Sequence, residues 1–429
     1  MVKYLICLKG GNPVTEEKQK ETAVLIAVDL GTEDCEASVA ELERLADTAG
    51  IETKATIIQK AEKWNVATYI GEGKAREVHD FCEANKIDLV IADDELKGSQ
   101  VRELEKILDC RVIDRTMLIL DIFASRARSI EGKLQVELAQ YRYRLPRLTG
   151  YGGALSRLGG GIGTRGPGET KLETDRRHIK RKIEALEEKL RDVSARREMT
   201  RRSRKKNNVP TVALVGYTNA GKSSLMNALC EDADVYVQDQ LFATLDPTVR
   251  RIRNEDGIEV LLTDTVGFIR KLPTDLIRAF SSTLEESTDS DLILRVADVS
   301  DPEMEVQLQT VDSILESLGT TEKPIFTVYN KSDLCPQNLP RITSEDTFYV
   351  SAATGEGLEE LRRAVFQKVA PVCRADLFIP YADGGVVSRL HECGKILDEK
   401  HTETGTHISV LLSPEDRGRF RAYLEQRTD

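Results

Sequence analysis

The sequence predicts a multidomain α/β protein built on parallel sheets. The chain has 429 residues, which is enough for about three domains of ordinary size. Short apolar runs alternate with helical patterns in two separate regions, as in sheets whose parallel strands are joined by helices. Helices with a regular apolar spacing lie between these regions. We therefore expect four domains, which comprise residues 1–128, 129–208, 209–370 and 371–429.

The composition is that of a globular protein. Hydrophobic residues make up 40% of the chain and charged residues 31%, which argues against overall disorder. The net charge is −11, so the chain as a whole is not a polybasic nucleic-acid binder. No apolar run approaches the roughly 20 residues that a membrane span needs. The 8 cysteines lack metal-ligand spacing. We expect reduced thiols and a cytoplasmic protein, with peripheral membrane association left open.

Residues 1–128 are expected to form a parallel sheet covered by helices. Short apolar runs predict strands at Ala23–Asp29, Ala67–Ile70, Asp88–Ala92 and Arg111–Ile113. Amphipathic patterns predict helices at Glu36–Thr48, Lys74–Asn85 and Gly98–Leu108. This alternation is typical of βαβ units.

Residues 129–208 are expected to form an antiparallel helical hairpin. Apolar residues recur at alternating spacings of four and three, as in the seam of a coiled coil. They are Leu134, Leu138, Tyr141, Leu145 and Leu148 in the first helix, and Ile179, Ile183, Leu186, Leu190 and Val193 in the second. The glycine-rich segment Gly150–Gly168 would be the tip.

The second helix of this hairpin is a candidate RNA contact. Residues 165–206 contain 16 lysines and arginines against 8 acidic residues. Without aromatic side chains for base stacking, this helix is expected to contact phosphates rather than to read bases. Arg157 and Arg165 at the tip are further candidates. The alternatives are a solvated charged face and a flexible connection without contacts.

A phosphate-binding loop follows the first predicted strand of residues 209–370. The strand Thr211–Val215 precedes the pattern GxxxxGKS, and a helical pattern follows, which is the context that this motif requires. Its backbone N–H groups and the helix N-terminus attract phosphates. Lys222 is expected to contact the β- and γ-phosphates, and Ser223 to bind Mg²⁺. The expected site residues are Gly216, Tyr217, Thr218, Asn219, Ala220, Gly221, Lys222, Ser223 and Ser224.

Further motifs follow the strands predicted at Val260–Asp264, Ile325–Tyr329 and Phe348–Val350; another strand is predicted at Leu292–Asp298. Asp264 is expected to reach Mg²⁺ through water, and the Gly267 N–H to meet the γ-phosphate. Asp333 accepts the paired donors of guanine, which adenine lacks, so the third motif favours GTP over ATP. These site residues are Asp264, Thr265, Val266 and Gly267; Asn330, Lys331, Ser332 and Asp333; and Ser351, Ala352 and Ala353.

The segment Leu241–Thr248 lies between the first two motifs and is a candidate switch loop. One of its threonines is expected to complete the Mg²⁺ shell, and spacing alone does not choose between Thr244 and Thr248. After Gly267, Phe268 stands where Ras-like enzymes carry the glutamine that orients the attacking water. We expect slow intrinsic hydrolysis that a partner stimulates. The alternative is that Phe268 only packs and that another residue orients the water.

These segments resemble the HflX family of GTPases, in the Obg-like group of P-loop GTPases. The resemblance covers nearly the whole chain and is weakest near the C-terminus. Family-like segments are Asp114–Ala127, Glu131–Gln140, Arg157–Arg177, GYTNAGKSS, FATLDPT and DTVGFI, of which the stretch GPGETKLETDRR is the most specific. The resemblance implies that Thr244 is the Mg²⁺ ligand of the switch loop. Its neighbours Phe242, Ala243, Leu245 and Asp246 then join the nucleotide site.

The resemblance also implies a function. It indicates a GTP-hydrolysing switch that binds the large ribosomal subunit and dissociates stalled or stressed ribosomes. Lys222, Thr244 and Gly267 are then the expected catalytic residues. A nucleotide-gated adaptor with a protein partner and an RNA-processing GTPase are the alternatives. Residues 371–429 are expected to form a small α+β domain, in which residues of about 374–424 form a βαβ unit centred on Gly384–Lys400.

Overall fold

The computed structural model describes residues 20–31, 34–148, 167–206, 209–230, 242, 248–272, 289–320, 322–335 and 344–424. For residues 167–172, 196–198 and 200–206 it describes the backbone alone. The chain divides into two compact units. The N-terminal unit comprises Met1–Asp121 and Arg147–Ala154, and the C-terminal unit comprises Ile122–Pro146 and Leu155–Asp429. In the described ranges, no helix is both long and apolar enough to cross a membrane.

The N-terminal unit contains the expected parallel sheet. Its strands lie in the order β2-β1-β3-β4 and all pair in parallel. The strands are β1 (Thr22–Asp29), β2 (Glu52–Lys60), β3 (Leu89–Ala92) and β4 (Arg111–Asp114). The helices are α1 (Cys35–Thr48), α2 (Glu72–Asn85), α3 (Gly98–Leu108) and α4 (Arg115–Arg126), the last of which continues into the C-terminal unit.

One predicted strand of this sheet is wrong. Ala67–Ile70 belongs to a turn that Asn65 and Tyr69 close by exchanging backbone hydrogen bonds of 2.9 Å. The missing strand is β2, which lies at the edge of the sheet. An edge strand buries little of its surface. In β2, the side chains of Ala55 and Ile57 are partly buried against the core. Its charged and polar residues therefore obscured the apolar signal.

Two long helices carry the predicted heptad spacing. They are α5 (Ile130–Arg147) and α6 (Pro167–Lys206). They contact each other, since Arg142 forms a 2.7 Å ion pair with Glu187 and Nζ of Lys182 donates to the Tyr141 hydroxyl at 2.7 Å. The predicted apolar positions on α6 face inward, with Leu186 fully covered and the others half-buried. Residues 150–166 of the predicted tip lie outside the described residues.

A six-stranded sheet forms the centre of the C-terminal unit. The strand order is β10-β9-β8-β5-β7-β6, and only β6 runs antiparallel to its neighbour. The strands are β5 (Thr211–Gly216), β6 (Thr248–Arg253), β7 (Glu259–Asp264), β8 (Leu292–Asp298), β9 (Ile325–Asn330) and β10 (Thr347–Tyr349). The covering helices are α7 (Lys222–Leu229), α8 (Met304–Ser317) and α9 (Leu358–Val369).

The last part of the chain has a different topology from the one predicted. It contains β11 (Cys373–Pro380), α10 (Gly384–Cys393), β12 (Lys395–His401), β13 (Gly405–Leu412) and α11 (Pro414–Arg419). The sheet order is β11-β13-β12, and both pairings are antiparallel. The βαβ prediction was therefore wrong, because β12 and β13 form a hairpin whose first strand lies inside the predicted central segment.

Candidate functional site

The predicted phosphate-binding loop joins β5, in the interior of the sheet, to the N-terminus of α7. Gly221 caps α7 with φ +87°, in the left-handed region that favours glycine. A Cβ at this position would also collide with Nδ2 of Asn330. Both constraints explain why glycine stands here, directly before Lys222.

Lys222 turns back over the loop that precedes it. Its Nζ donates to the carbonyl oxygens of Gly216 at 3.1 Å and Tyr217 at 2.8 Å. The residue is only 6% exposed. Burial lowers the pKa of Lys222 to about 8, and the nearby Asp264 carboxylate opposes this shift. The ammonium group is therefore held inside the loop, where a phosphate would neutralise it.

Ser223 and Asp264 supply a pair of oxygen atoms beside this lysine. The Ser223 hydroxyl donates to Oδ2 of Asp264 at 2.6 Å, and Asp264 is fully buried at the end of β7. The Thr265 hydroxyl donates to the carbonyl oxygen of Leu214 at 2.7 Å and ties this end of β7 to β5. A hydroxyl and a carboxylate are the hard oxygen ligands that Mg²⁺ prefers, so these residues fit the metal.

The segment after Asp264 lies directly against the phosphate-binding loop. The Thr218 N–H donates to the carbonyl oxygen of Phe268 at 2.7 Å, and the Phe268 N–H donates to that of Gly216 at 3.1 Å. A Cβ on Gly267 would lie 2.8 Å from Cα of Thr218 and 3.0 Å from Nζ of Lys222. Glycine is thus needed for the close approach, and it places Gly267 beside the lysine.

The side chain of Phe268 is buried in an apolar cluster. It is 2% exposed and packs in a cluster with Tyr217, Ile293, Val311 and Ile314. This packing is the alternative that the sequence left open. A phenyl ring has no donor or acceptor with which to orient an attacking water.

Asn330 connects two of the predicted motifs. Its Nδ2 donates to the carbonyl oxygen of Ala220 at 3.0 Å, and its Oδ1 accepts from the Ala352 N–H at 3.1 Å. Asn330 is 1% exposed, so both hydrogen bonds are shielded from water. The amide of Asn330 therefore connects the phosphate-binding loop and the segment Ser351–Ala353 at the carboxyl ends of the strands.

The other residues of these motifs surround this connection. Lys331 lies in the left-handed region and forms a 2.6 Å ion pair with Asp298. Asp333 is exposed at the turn after β9. Ser351 is fully buried, and its hydroxyl accepts from the Thr354 N–H at 3.1 Å. Ser351 thus shapes its own turn, while Asp333 stays accessible.

Phe242 is the one described residue of the segment 231–247. Its N–H donates to the Thr218 hydroxyl at 3.1 Å, which attaches it to the phosphate-binding loop. Its ring contacts Phe123 of α4, a residue that the sequence did not single out. The apolar pattern of the sequence indicates only that Phe123 is a core residue. The one sequence feature that could have identified its role near the site is its position in the family-like segment Asp114–Ala127.

Of the other residues predicted for the switch loop, some lie among the described residues and some do not. Thr244, with Ala243, Leu245 and Asp246, lies outside the described residues. Thr248 begins β6, where it pairs with Asp264 of β7. The candidate threonine Thr248 is thus part of the sheet.

The basic helix α6 exposes its charge. The exposed basic residues in its described part are Arg176, Arg177, Lys180, Arg181, Lys182, Lys189 and Arg191. The densest basic stretch, residues 196–206, lies in the part described by its backbone alone, and the tip residues Arg157 and Arg165 lie outside the described residues. The same part of the helix also exposes the acidic residues Glu173, Asp175, Glu184, Glu188 and Asp192, so the excess of positive charge on α6 comes mainly from its C-terminal stretch.

Three family models match the chain in succession. The model described as "GTP-binding GTPase N-terminal" matches residues 36–124, and "GTP-binding GTPase Middle Region" matches residues 126–204. The model described as "50S ribosome-binding GTPase" matches residues 211–331, which include the phosphate-binding loop, the segment Asp264–Gly267 and Asn330. The phosphate-binding part of the site therefore lies within a GTPase domain.

Whole-length relatives carry one family name. The chain is 50% identical to a GTPase HflX of Caldanaerobacter subterraneus over 99% of both chains. It is 43% identical to the GTPase HflX of Escherichia coli, over 90% of this chain and 92% of the relative. A GTP-binding protein from Sulfolobus solfataricus, solved with GDP, is 26% identical with a TM-score of 0.43, over 81% of this chain and 98% of that one. The chain belongs to the HflX family of GTPases and hydrolyses GTP.

Proposed function

We propose that GTP and Mg²⁺ bind where the phosphate-binding loop, the segment Asp264–Gly267 and Asn330 meet. The observation that carries this proposal is their direct hydrogen bonding at the carboxyl ends of neighbouring parallel strands, where nucleotides bind in open α/β sheets. Ser223 and Asp264 would hold the metal, Asp264 through water. Thr244, proposed from the family resemblance, would complete the set. Mg²⁺, when bound, neutralises charge on the β- and γ-phosphates.

Residues of the chain position the γ-phosphate for attack by water. Lys222 directs its buried ammonium group toward the phosphates, and its pKa of about 8 in the free protein rises when they bind. The Gly267 N–H contributes a second donor beside it. The loop amides hold the remaining phosphate oxygens. Since Phe268 is buried in the core, another group must orient the water, and we expect slow turnover until a partner orders the site.

Guanine selectivity is assigned to the third motif. Asp333, whose carboxylate only accepts, pairs with the N1–H and the 2-amino group of guanine. An Asp333→Asn variant should lose GTP affinity at least tenfold and gain affinity for xanthosine triphosphate, because the amide donates to the 2-oxo group of xanthine. Fluorescence titration with both nucleotides tests this. Unchanged GTP affinity in the variant would remove Asp333 from the base site.

We propose further that the GTP-bound protein binds the large ribosomal subunit and dissociates stalled or stressed ribosomes. The description of the model matching residues 211–331 supports a ribosomal partner. The charge distribution supports an RNA contact through α6, since residues 165–206 carry a net +8 and leave −19 on the rest of the chain. Such a body repels RNA except along its cationic helix.

Sedimentation of assembled ribosomes with a non-hydrolysable GTP analogue tests this function. We expect the protein to sediment with the large subunit and to split the ribosomes. Replacing Arg176, Arg177 and Lys180 by glutamine should weaken binding steeply and flatten its salt dependence. Replacing the exposed Lys54, Lys106 and Lys400 is the matched control, since it removes equal charge elsewhere. Binding without splitting would limit the function to an adaptor, and no association would contradict the ribosomal proposal.

A further inference from the structure

Helix α2 of the N-terminal unit lies against the turn that leads into β4. Nδ1 of His79 is 3.2 Å from the carbonyl oxygen of Leu108. Because a carbonyl only accepts, Nδ1 carries the proton in this contact. Cys82 follows His79 by three residues on the same face of α2, and Cys110 follows Leu108 by two. The contact therefore brings two cysteines to facing positions.

The two cysteines belong to one apolar cluster. Cys82 is 4% exposed among residues that include Val78 and Leu104, and the half-buried Cys110 packs against the same cluster. The two thiols lie close enough to influence each other's ionisation. One thiol is thus buried, while its neighbour at the rim of the cluster is half-buried.

The surroundings favour a thiolate at the inner position. The neighbouring Cys110 thiol lowers the pKa of Cys82, burial opposes that shift, and His79 assists it. The same contact raises the pKa of the Cys110 thiol. The thiolate is the form of cysteine that attacks oxidants and disulfides.

We propose that Cys82 and Cys110 are a redox-sensitive pair that closes to a reversible disulfide in the presence of hydrogen peroxide. A thiolate of the pair attacks one peroxide oxygen, the O–O bond breaks, and a sulfenic acid and hydroxide form. The second cysteine, as its thiolate, attacks the sulfenic sulfur. The S–O bond breaks, the S–S bond forms, and the oxygen leaves as water. Two thiols lose two electrons and two protons, and one peroxide becomes two waters.

The proposed disulfide requires no nucleotide at the phosphate-binding loop. The bond would join α2 to the start of β4, across the 27 residues that separate the cysteines. Closing a loop of this size restricts the unfolded chain and thereby stabilises the folded one. The proposed disulfide would therefore stabilise the N-terminal unit under oxidising conditions, and thiol reductants would reverse it.

Peptide mapping of the peroxide-treated full-length protein tests the proposal. After alkylation of the remaining thiols, trypsin should release a linked pair of peptides, residues 77–86 and 107–111, each of which contains one cysteine. Dithiothreitol should abolish the linked species. Cys82→Ala and Cys110→Ser should each prevent it, while Cys35→Ser, at a half-buried position on α1, should retain it.

The wild-type protein alone decides the question if a variant fails to fold. Peroxide treatment should raise its thermal midpoint by a few degrees, and dithiothreitol should reverse that rise. Recovery of both cysteines fully alkylated would overturn the proposal. So would conversion of Cys110 to a sulfinic acid without any linked peptide.

Discussion

Phe123 and Phe242 meet edge to face, with ring centroids 4.6 Å apart and an interplanar angle of 80°. Both residues are at most 2% exposed. Phe242 has φ +56° and is attached by its N–H to Thr218 of the phosphate-binding loop. Phe242, which belongs to the proposed switch segment Leu241–Thr248, is therefore held between that loop and α4.

We expect this aromatic pair to stabilise the switch segment. In a double-mutant cycle, Phe123→Leu and Phe242→Leu should show a coupling free energy of about 1 kcal/mol, because edge-to-face pairs contribute roughly 0.5–1.5 kcal/mol beyond burial. The coupling should appear in urea unfolding and again in GTP affinity. Additive effects in both measurements would mean that the rings pack independently.

Asn330 should be indispensable for nucleotide affinity. Asn330→Ala removes the bonds to Ala220 and Ala352 and leaves their buried backbone groups unpaired, at a cost of about 1–3 kcal/mol each. We expect GTP affinity to fall at least tenfold. Asn330→Asp retains the acceptor for the Ala352 N–H but places a carboxylate against the carbonyl oxygen of Ala220. It should therefore restore little of the lost GTP affinity. Equal GTP affinity for wild type and Asn330→Ala, measured by fluorescence titration, would contradict this reading.

Phe268→Gln should not create a faster enzyme. The side chain at this position enters the core cluster, so glutamine would bury an amide there instead of orienting water. We expect an unchanged single-turnover hydrolysis rate and a loss of about 2–4 kcal/mol in unfolding free energy. Phe268→Leu is the matched apolar control. A tenfold rise in rate with glutamine would show that this side chain reaches the site.

Arg115 should be critical for the N-terminal unit. It is 1% exposed, pairs with Glu41 at 3.0 Å and Asp93 at 3.1 Å, and donates to the carbonyl oxygen of Ser38 at 2.6 Å. Arg115→Met would leave two buried carboxylates without this cation. We expect a loss of about 3–5 kcal/mol in urea unfolding.

A surface ion pair supplies the control for that variant. Arg111 is 3.0 Å from Glu21, but both side chains are more than half exposed. Arg111→Ala should therefore change stability by less than about 1 kcal/mol. Similar losses for the Arg111 and Arg115 variants would mean that burial does not govern the strength of these pairs.

Local patterns in the sequence predicted most of the secondary structure. The helix Gly98–Leu108 and the strand Leu292–Asp298 were predicted to the residue. Burial of one face leaves a helical period in the first, and burial of both faces leaves an apolar run in the second. The edge strand β2 and the switch-proximal strand β6 were missed, since neither is apolar throughout. In β12, sequence pattern did not distinguish a hairpin strand from the centre of a βαβ unit.

For the site, the sequence alone determined which residue types occur and in what order. The spacing from Gly216 to Ser223 and the positions of Asp264 and Asn330 follow from motifs that are local in the chain. Those motifs also indicated a phosphate, a metal and guanine as the chemistry of the site, because each depends on residues within a single loop.

Only the tertiary structure decided which distant residues meet. The ring of Phe268 lies in the core, Asn330 bonds to Ala220 across 110 residues of sequence, and Phe123 contacts Phe242. Such contacts depend on sheet order and on the packing of helices against it, which no local period encodes. Likewise, cysteines that carry no motif became a pair because α2 packs against the turn before β4.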